Sequence, residues 1–169
     1  MKIETMRDLF EIGLQYVYDC EQKLVKKGIP GMIKGASTPE LKTALEHHLE
    51  ETRAHVKRLE QVFSSVGVEA DTEDNDIVDE MINAAEKIIS HTDASPLRDA
   101  ALIVSGNMVE HYEIAAYGSL VAFAQQLGFR DAVGLLQQTL EEEKAADIKL
   151  SAIGEKSVNP RAAQARQAA

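Results

Sequence analysis

The sequence predicts an all-α protein, four long helices in a bundle with one long crossover that carries a short helix of its own. Three observations predict it. Apolar residues recur at steps of three and four almost throughout, and no stretch alternates with the period of two that a strand requires. Helix starts and stops are marked by Ser37-Thr38-Pro39-Glu40, Gly67, Ser95-Pro96 and Gly128. A single long polar gap, residues 68–76, separates the first pair of helices from the second.

The first helix starts after Thr5, with Asp8 completing a capping-box pair, and carries Leu9, Ile12, Tyr16 and Leu24. Gly28-Ile29-Pro30-Gly31 then breaks or bends it. The second combines an N-cap, a proline in its first turn and Glu40 three residues on, and runs to about Val66. Residues 68–76 (Val-Glu-Ala-Asp-Thr-Glu-Asp-Asn-Asp) are too polar to pack and read as surface loop, and Ile77 to about His91 has the pattern of a shorter helix. Ser95-Pro96 opens the third long helix, ending near Gly128, and the fourth runs from about Arg130 to Gly154. Residues 1–154 thus form the helical unit, and 155–169, without apolar anchors, form a loose tail. Two helices, a long connection and two more helices is the one-crossover topology of ferritin-like bundles.

Composition narrows the function. With 169 residues and 44% apolar content the chain can bury one real core. A net charge of −10 and a pI near 5.0 oppose nucleic acid and anionic membrane as partners and favour cations. Cys20 is the one cysteine, which excludes an intrachain disulfide and any cysteine-rich zinc or iron site and fits a reducing cytoplasm. No apolar run approaches 18 residues, and the N-terminus has no signal-peptide pattern, so a soluble cytoplasmic protein is expected.

Polar residues interrupt the inward stripes where the centre of a core belongs. On the second helix the stripe passes through Leu41, Leu45, His48, then Glu51 or Thr52, His55, Leu59 and Val62. On the fourth it runs Leu136, Leu140, Glu143, Asp147, Leu150; the third offers Glu110, Glu113 or Ile114, and Tyr117; the first offers Tyr18 and Glu21. An internal echo pairs Glu51 with Glu143 and His55 with Asp147 across residues 50–56 and 142–148. Taken singly, each acid would be a solvated helix residue. Inward acids on four helices together would cost several kcal/mol per charge unless something positive sat among them, and Lys23, Arg53, Lys57 and Lys144 fall on outward faces. Two divalent metals would balance four carboxylates, and an oxygen-rich site with few imidazoles suits iron or manganese better than zinc or copper.

Tyr18-Asp19-Cys20-Glu21, His48-Leu49-Glu50-Glu51-Thr52, Val109-Glu110-His111-Tyr112-Glu113-Ile114-Ala115 with Tyr117-Gly118, and the segment from Leu140 to Leu150 together resemble the YciF-like branch of the ferritin-like superfamily, bacterial stress-associated proteins. The resemblance spans residues 3–158 and implies a rubrerythrin-like bundle, a homodimer and a di-iron site. Ferritins and rubrerythrins place one glutamate on each of two helices and a Glu-x-x-His pair on each of the other two. Glu21 and Glu110 match the first kind, and Glu113 resembles the additional glutamate of rubrerythrins. The second kind differs here, because His55 follows Glu51 at i+4 and Asp147 stands where Glu143 would be followed by a histidine.

The expected metal set is Glu21, Glu51, His55, Glu110, Glu113, Glu143 and Asp147, holding two iron ions, with manganese the alternative and His48 and Glu142 in reserve. Such a site suits ferroxidase or peroxide-reducing chemistry with oxygen or peroxide, and with Cys20 alone the chain builds no cysteine-bound iron centre, so the electron donor is external. The competing class is a non-enzymatic structural or interaction protein with a vestigial metal site. A DNA-protecting cage is disfavoured, since the tail offers only Lys156, Arg161 and Arg166 as basic residues.

Overall fold

The computed structural model describes residues 3–164, and every regular element among them is helical. Helix α1 (Met6–Lys23) begins at Thr5, whose side chain accepts from the Asp8 amide while Asp8 accepts from the Thr5 amide, the expected capping box. The bend expected at Gly28 to Gly31 is a π-helical turn, Leu24–Gly28, through which the chain runs unbroken into α2 (Ile29–Gly35). Helix α3 spans Pro39–Ser65, α4 spans Asp76–His91, α5 spans Pro96–Leu127 and α6 spans Arg130–Ile153. Gly128, at φ 74°, terminates α5 in the left-handed region.

Helix α6 continues as well. A second π-helical turn, Gly154–Val158, leads into the short α7 (Asn159–Gln164). Residues 155–164, expected as loose tail, are therefore helical. The reason is Val158, fully buried against the lower core, which supplies the anchor that the segment seemed to lack. The remainder of that expected tail, residues 165–169, lies outside the described residues.

Helix α5 packs along α6, α6 along α3, α3 along α1 and α1 along α5, closing the four-membered bundle, and α4 lies across its outside against α5. The crossover is pinned electrostatically: the Lys23 ammonium reaches Asp19, Asp74 and Asp79 at 2.6–2.7 Å. Asn75 caps α4 through the Val78 amide and donates to the Tyr16 carbonyl and the Tyr112 hydroxyl. No helix among the described residues is long and apolar enough to cross a membrane.

The core is two apolar layers. The upper one gathers Phe10, Leu14, Leu59, Phe63, Tyr117 and Leu136, and the lower one Leu24, Leu41, Leu45, Leu102 and Leu150. Between them each helix contributes acids or imidazoles, so the apolar layers seal a polar middle from both ends.

One cap is not local. Thr38 makes no side-chain cap at the start of α3; instead the fully buried Asp99, from α5, accepts from the Ser37 amide (2.7 Å), the Ser37 hydroxyl (2.8 Å) and the Thr38 amide (2.8 Å). Replacing Asp99 by Ala leaves buried donors unmet, and the expected loss is about 3 kcal/mol. Urea unfolding measures it, and a change below about 0.5 kcal/mol would mean that the α3 terminus does not depend on this carboxylate.

Candidate metal centre

The polar layer is made by heptad-like stepping. On α3 the inward positions run 41, 45, 48, 52, 55, 59, 62, so His48, Thr52 and His55 face the axis and Glu51, one residue from Thr52, is turned about 100° away. On α1 the run 14, 17, 21, 24 delivers Glu21, on α5 the run 106, 110, 113, 117 delivers Glu110 and Glu113, and on α6 the run 140, 143, 146, 150 delivers Glu143. Glu21, His55 and Glu143 are fully buried, and Glu110 and Glu113 are 2% and 1% exposed.

These side chains fall into two triads that share one member. Ligand-type atoms of Glu21, His55 and Glu143 lie within 4.8 Å of one another, and so do those of His48, Glu110 and Glu143. His55 Nδ1 is 2.9 Å from Glu143 Oε1 and 3.4 Å from Glu21 Oε1. His48 Nε2 is 3.2 Å from Glu110 Oε1 and 4.0 Å from Glu143 Oε2. Glu113 Oε1 accepts from the buried Cys20 thiol at 3.6 Å, and the Tyr117 hydroxyl donates to Glu21 Oε1 at 2.5 Å.

The ring of His55 is oriented from outside. Its Nε2 is 2.9 Å from Glu142 Oε2, and Glu142 is gripped by Arg58 at 2.8 and 3.2 Å. Burial opposes ionisation of Glu142, but the Arg58 and Gln138 donors prevail and keep its pKa below the ordinary carboxylate value. An ionised Glu142 can only accept, so a neutral His55 ring would carry its proton on Nε2 and present the Nδ1 lone pair toward Glu21 and Glu143. Arg58 also donates to Thr139, which fixes the clamp to α6.

Of the expected ligands, Glu21, His55, Glu110 and Glu143 meet in the two triads, and Glu113 lies within the same buried layer. Glu51 and Asp147 do not meet them. Glu51, one-third exposed, stops with Oε2 3.1 Å from His47 Nδ1 and 3.5 Å from His48 Nδ1. Asp147 faces α5 instead, accepting from Asn107 at 2.5 Å and lying 3.3 Å from His111, because the inward position one turn after Glu143 belongs to Ala146. His48, held in reserve on sequence grounds, is an inward donor, and Glu142 is the partner of a donor. The strict three-four run through 41, 45, 48 and 52 was the signal that could have chosen Thr52 over Glu51.

The donor set fits a pair of divalent cations. Among the described residues eight buried side-chain polar atoms lack a hydrogen-bond partner, and seven belong to this layer: Glu21 Oε2, His48 Nδ1, His55 Nδ1, Glu110 Oε2, Glu113 Oε2 and both oxygens of Glu143. A native core seldom tolerates that concentration of unmet acceptors unless something else satisfies them. Four buried carboxylates match the charge of two divalent ions and leave both imidazoles neutral, which removes the excess negative charge that the seven-residue set would have carried.

Without cations the layer must hold protons. Burial raises the Glu110 pKa, against the pull of His48, to about 7. Burial lowers that of His55, but Glu21 and Glu143 overcome it and raise it to about 10. Glu113 is pushed well above its ordinary value by burial and then by its three carboxylate neighbours.

The model of the family described as a domain of unknown function, DUF892, matches residues 5–163. Protein YciF of Escherichia coli strain K12 is 38% identical over 163 residues, which cover 96% of this chain and 98% of that one. The crystal structure of the Escherichia coli stress protein YciF superposes with a TM-score of 0.88, covering 93% of this chain and 99% of that chain at 38% identity. YcfI from Rhodopseudomonas palustris, described as a candidate structural protein, gives a TM-score of 0.86 at 39% identity, covering 89% and 95%. A Xanthomonas campestris protein at 21% identity shares the fold, with a TM-score of 0.75 and coverage of 96% and 99%.

The sign of the pH dependence follows from the raised values. A group whose folded pKa exceeds its unfolded one stabilises fully below the unfolded value and ceases to do so as pH rises through the folded one. Glu110 loses its contribution between its ordinary 4.5 and about 7, and His55 between 6.5 and about 10. Metal-free protein should therefore melt roughly 5–10 °C lower at pH 9 than at pH 6 in scanning calorimetry with chelator present. A melting temperature that is flat or climbs over that window would contradict the arrangement.

Proposed function

The chain belongs to the DUF892 family, and we propose that, like the member described as a stress protein, it serves under stress, holding two divalent metal ions, iron foremost and manganese the alternative. The observation that carries this reading is the pair of buried triads sharing Glu143, with six unmet atoms of Glu21, His55, Glu110, Glu113 and Glu143 around them. Glu21 and His55 would hold one ion and His48 and Glu110 the other, with Glu143 between them and Glu113 supplying the fourth negative charge. Two iron ions there would supply electrons to oxygen or peroxide, which is ferroxidase or peroxide-reducing chemistry.

The chain's own residues prepare that chemistry. Tyr117 ties down Glu21 Oε1 and leaves Oε2 free, and Arg58 and Glu142 set the His55 tautomer. The apolar layers above and below exclude bulk water, so charges in the site interact strongly. Cys20 is the one thiol and is wholly buried, so we infer that electrons for repeated turnover come from an external donor.

Metal analysis of gently purified protein tests the reading. About two ions per chain are expected, falling below one in Glu143→Gln, because the shared carboxylate serves both triads, and falling by about one in Glu110→Gln. Iron-loaded protein should oxidise added ferrous iron, or consume peroxide, faster than free iron. No metal above background in the wild type would end the proposal.

A second reading keeps the cations as structural ties in a non-enzymatic interaction protein. The relative described as a candidate structural protein favours it, and so does an exposed apolar strip on α5, where Leu97, Val104 and Met108 at helical spacing are 57–63% exposed. We infer that a second copy of the chain covers the strip, as a homodimer. Sedimentation velocity should give two chains for the wild type and one for the Val104→Glu, Met108→Glu double variant; a monomeric wild type would refute the pairing. Two-metal protein with no oxidase or peroxidase activity would select the structural reading.

A further inference from the structure

Three approaches to the buried layer are closed among the described residues. Toward the upper core the Tyr117 hydroxyl is bonded to Glu21 and its ring is fully buried. On the α3–α6 seam above the site, Arg58 and Glu142 close over His55. Between α1 and α5 the fully buried Cys20 lies against Glu113.

Below the site the same seam is less tightly filled. A small pocket, about 20 Å³ and so wide enough for about one water molecule, lies between Ala44 and Glu51 on α3 and Ala146 and Lys149 on α6. Behind it a second cavity of about 20 Å³ is lined by Met32, Gly106, Val109 and Glu110. Leu45, His48 and Leu150 line both, so they form the wall between the two spaces. His48 is the only one of the three with ligating atoms. Its Nδ1, buried and without a hydrogen-bond partner, lies 3.5 Å from Glu51 Oε2 on the outer side, and its Nε2 lies 3.2 Å from Glu110 Oε1 on the inner side. Glu51, His48, Glu110 and Glu143 thus form a continuous file of donors from the partly exposed carboxylate to the shared one.

We propose that divalent cations reach the buried pair along this file, captured from water by Glu51, handed inward by His48, and slowed at the rim by the Lys149 ammonium. The inference rests on the reading of the layer as a metal site. It gives Glu51 a role in the rate of loading, which a ligand in the finished site would not have. A carboxylate at the mouth raises the local cation concentration, a rim ammonium lowers it, and both effects weaken with salt.

Cobalt(II) binding, followed by stopped flow through its d–d absorption in metal-free protein, tests it without reference to catalysis. Glu51→Gln should slow loading about tenfold while still ending at two cobalt ions per chain, and Glu51→Asp should restore most of the rate. Lys149→Gln, a surface change that touches no donor, should quicken loading about threefold at low salt and less at high salt. Equal loading rates in the wild type, Glu51→Gln and Lys149→Gln would overturn the route. So would an endpoint below two ions in Glu51→Gln, which would make Glu51 a ligand, or an effect of Glu51→Gln confined to cobalt release, which would leave it only a support for the His48 ring. Wild-type protein that takes up no cobalt would instead overturn the reading of the site itself.

Discussion

Four carboxylates buried within one layer of a bundle constrain everything else in this molecule. Ionised and unpaired, they would each cost several kcal/mol in a low-dielectric interior, and the nearby Arg58 guanidinium is committed to Glu142 outside the layer. The protein confines them to one level. Above and below, the same heptad positions carry Leu, Val, Phe and Ile, so the helices hold their register through hydrocarbon while the middle serves another purpose. The π-helical turns lie at the lower end, where the chain is bent into α2 and α7, and leave the helical register through the polar level undisturbed.

Acids next to the layer divide by depth. Glu143 points inward and has no hydrogen-bond partner for either oxygen, whereas its neighbour Glu142 points to the seam, is saturated with donors and fixes the His55 ring. Glu51 stands to His48 much as Glu142 stands to His55, but with looser geometry and a pocket beside it where Arg58 closes the other end. The echo between residues 50–56 and 142–148 thus has structural content, though different from a repeated ligand pair. On α6 the inner acid is the ligand candidate, and on α3 the inward place is taken by Thr52, whose hydroxyl is satisfied by the His48 carbonyl.

Features governed by local chemistry were legible from residues alone. The capping box at Thr5, proline in the first turn of α3 and α5, Ser95 at its N-cap and Gly128 at a left-handed C-cap each act within a few residues, so their signals survive without knowledge of the fold. What was not legible depended on partners far away in sequence. Asp99 caps α3 from 62 residues away, and Val158 anchors the last turn against a core that did not exist until the helices met. Glu51 and Asp147 lie outside the two triads for a finer reason: adjacent helical positions differ by about 100°, and a stripe read from polarity alone drifts toward whichever neighbour is charged. Thr52 and Ala146, small and unremarkable in a list of residues, hold the inward places.

The layer also explains how a chain of this size can carry so unfavourable a centre. A bundle of these dimensions has a net stability of about 5–15 kcal/mol, comparable to the cost of a few uncompensated buried charges. Protons can take the place of metal, as the raised pKa values of Glu110 and His55 imply, but a proton satisfies one oxygen and leaves its neighbours facing one another. A divalent ion satisfies three or more donors at once and carries the charge of two carboxylates. Cations bound there would therefore act on folding as much as on chemistry, since they would bind the folded chain and have no preformed site in the unfolded one. The same acids that would make the bundle fragile when empty would, with metal bound, couple its stability to metal supply, a property suited to a protein whose relative is a stress protein.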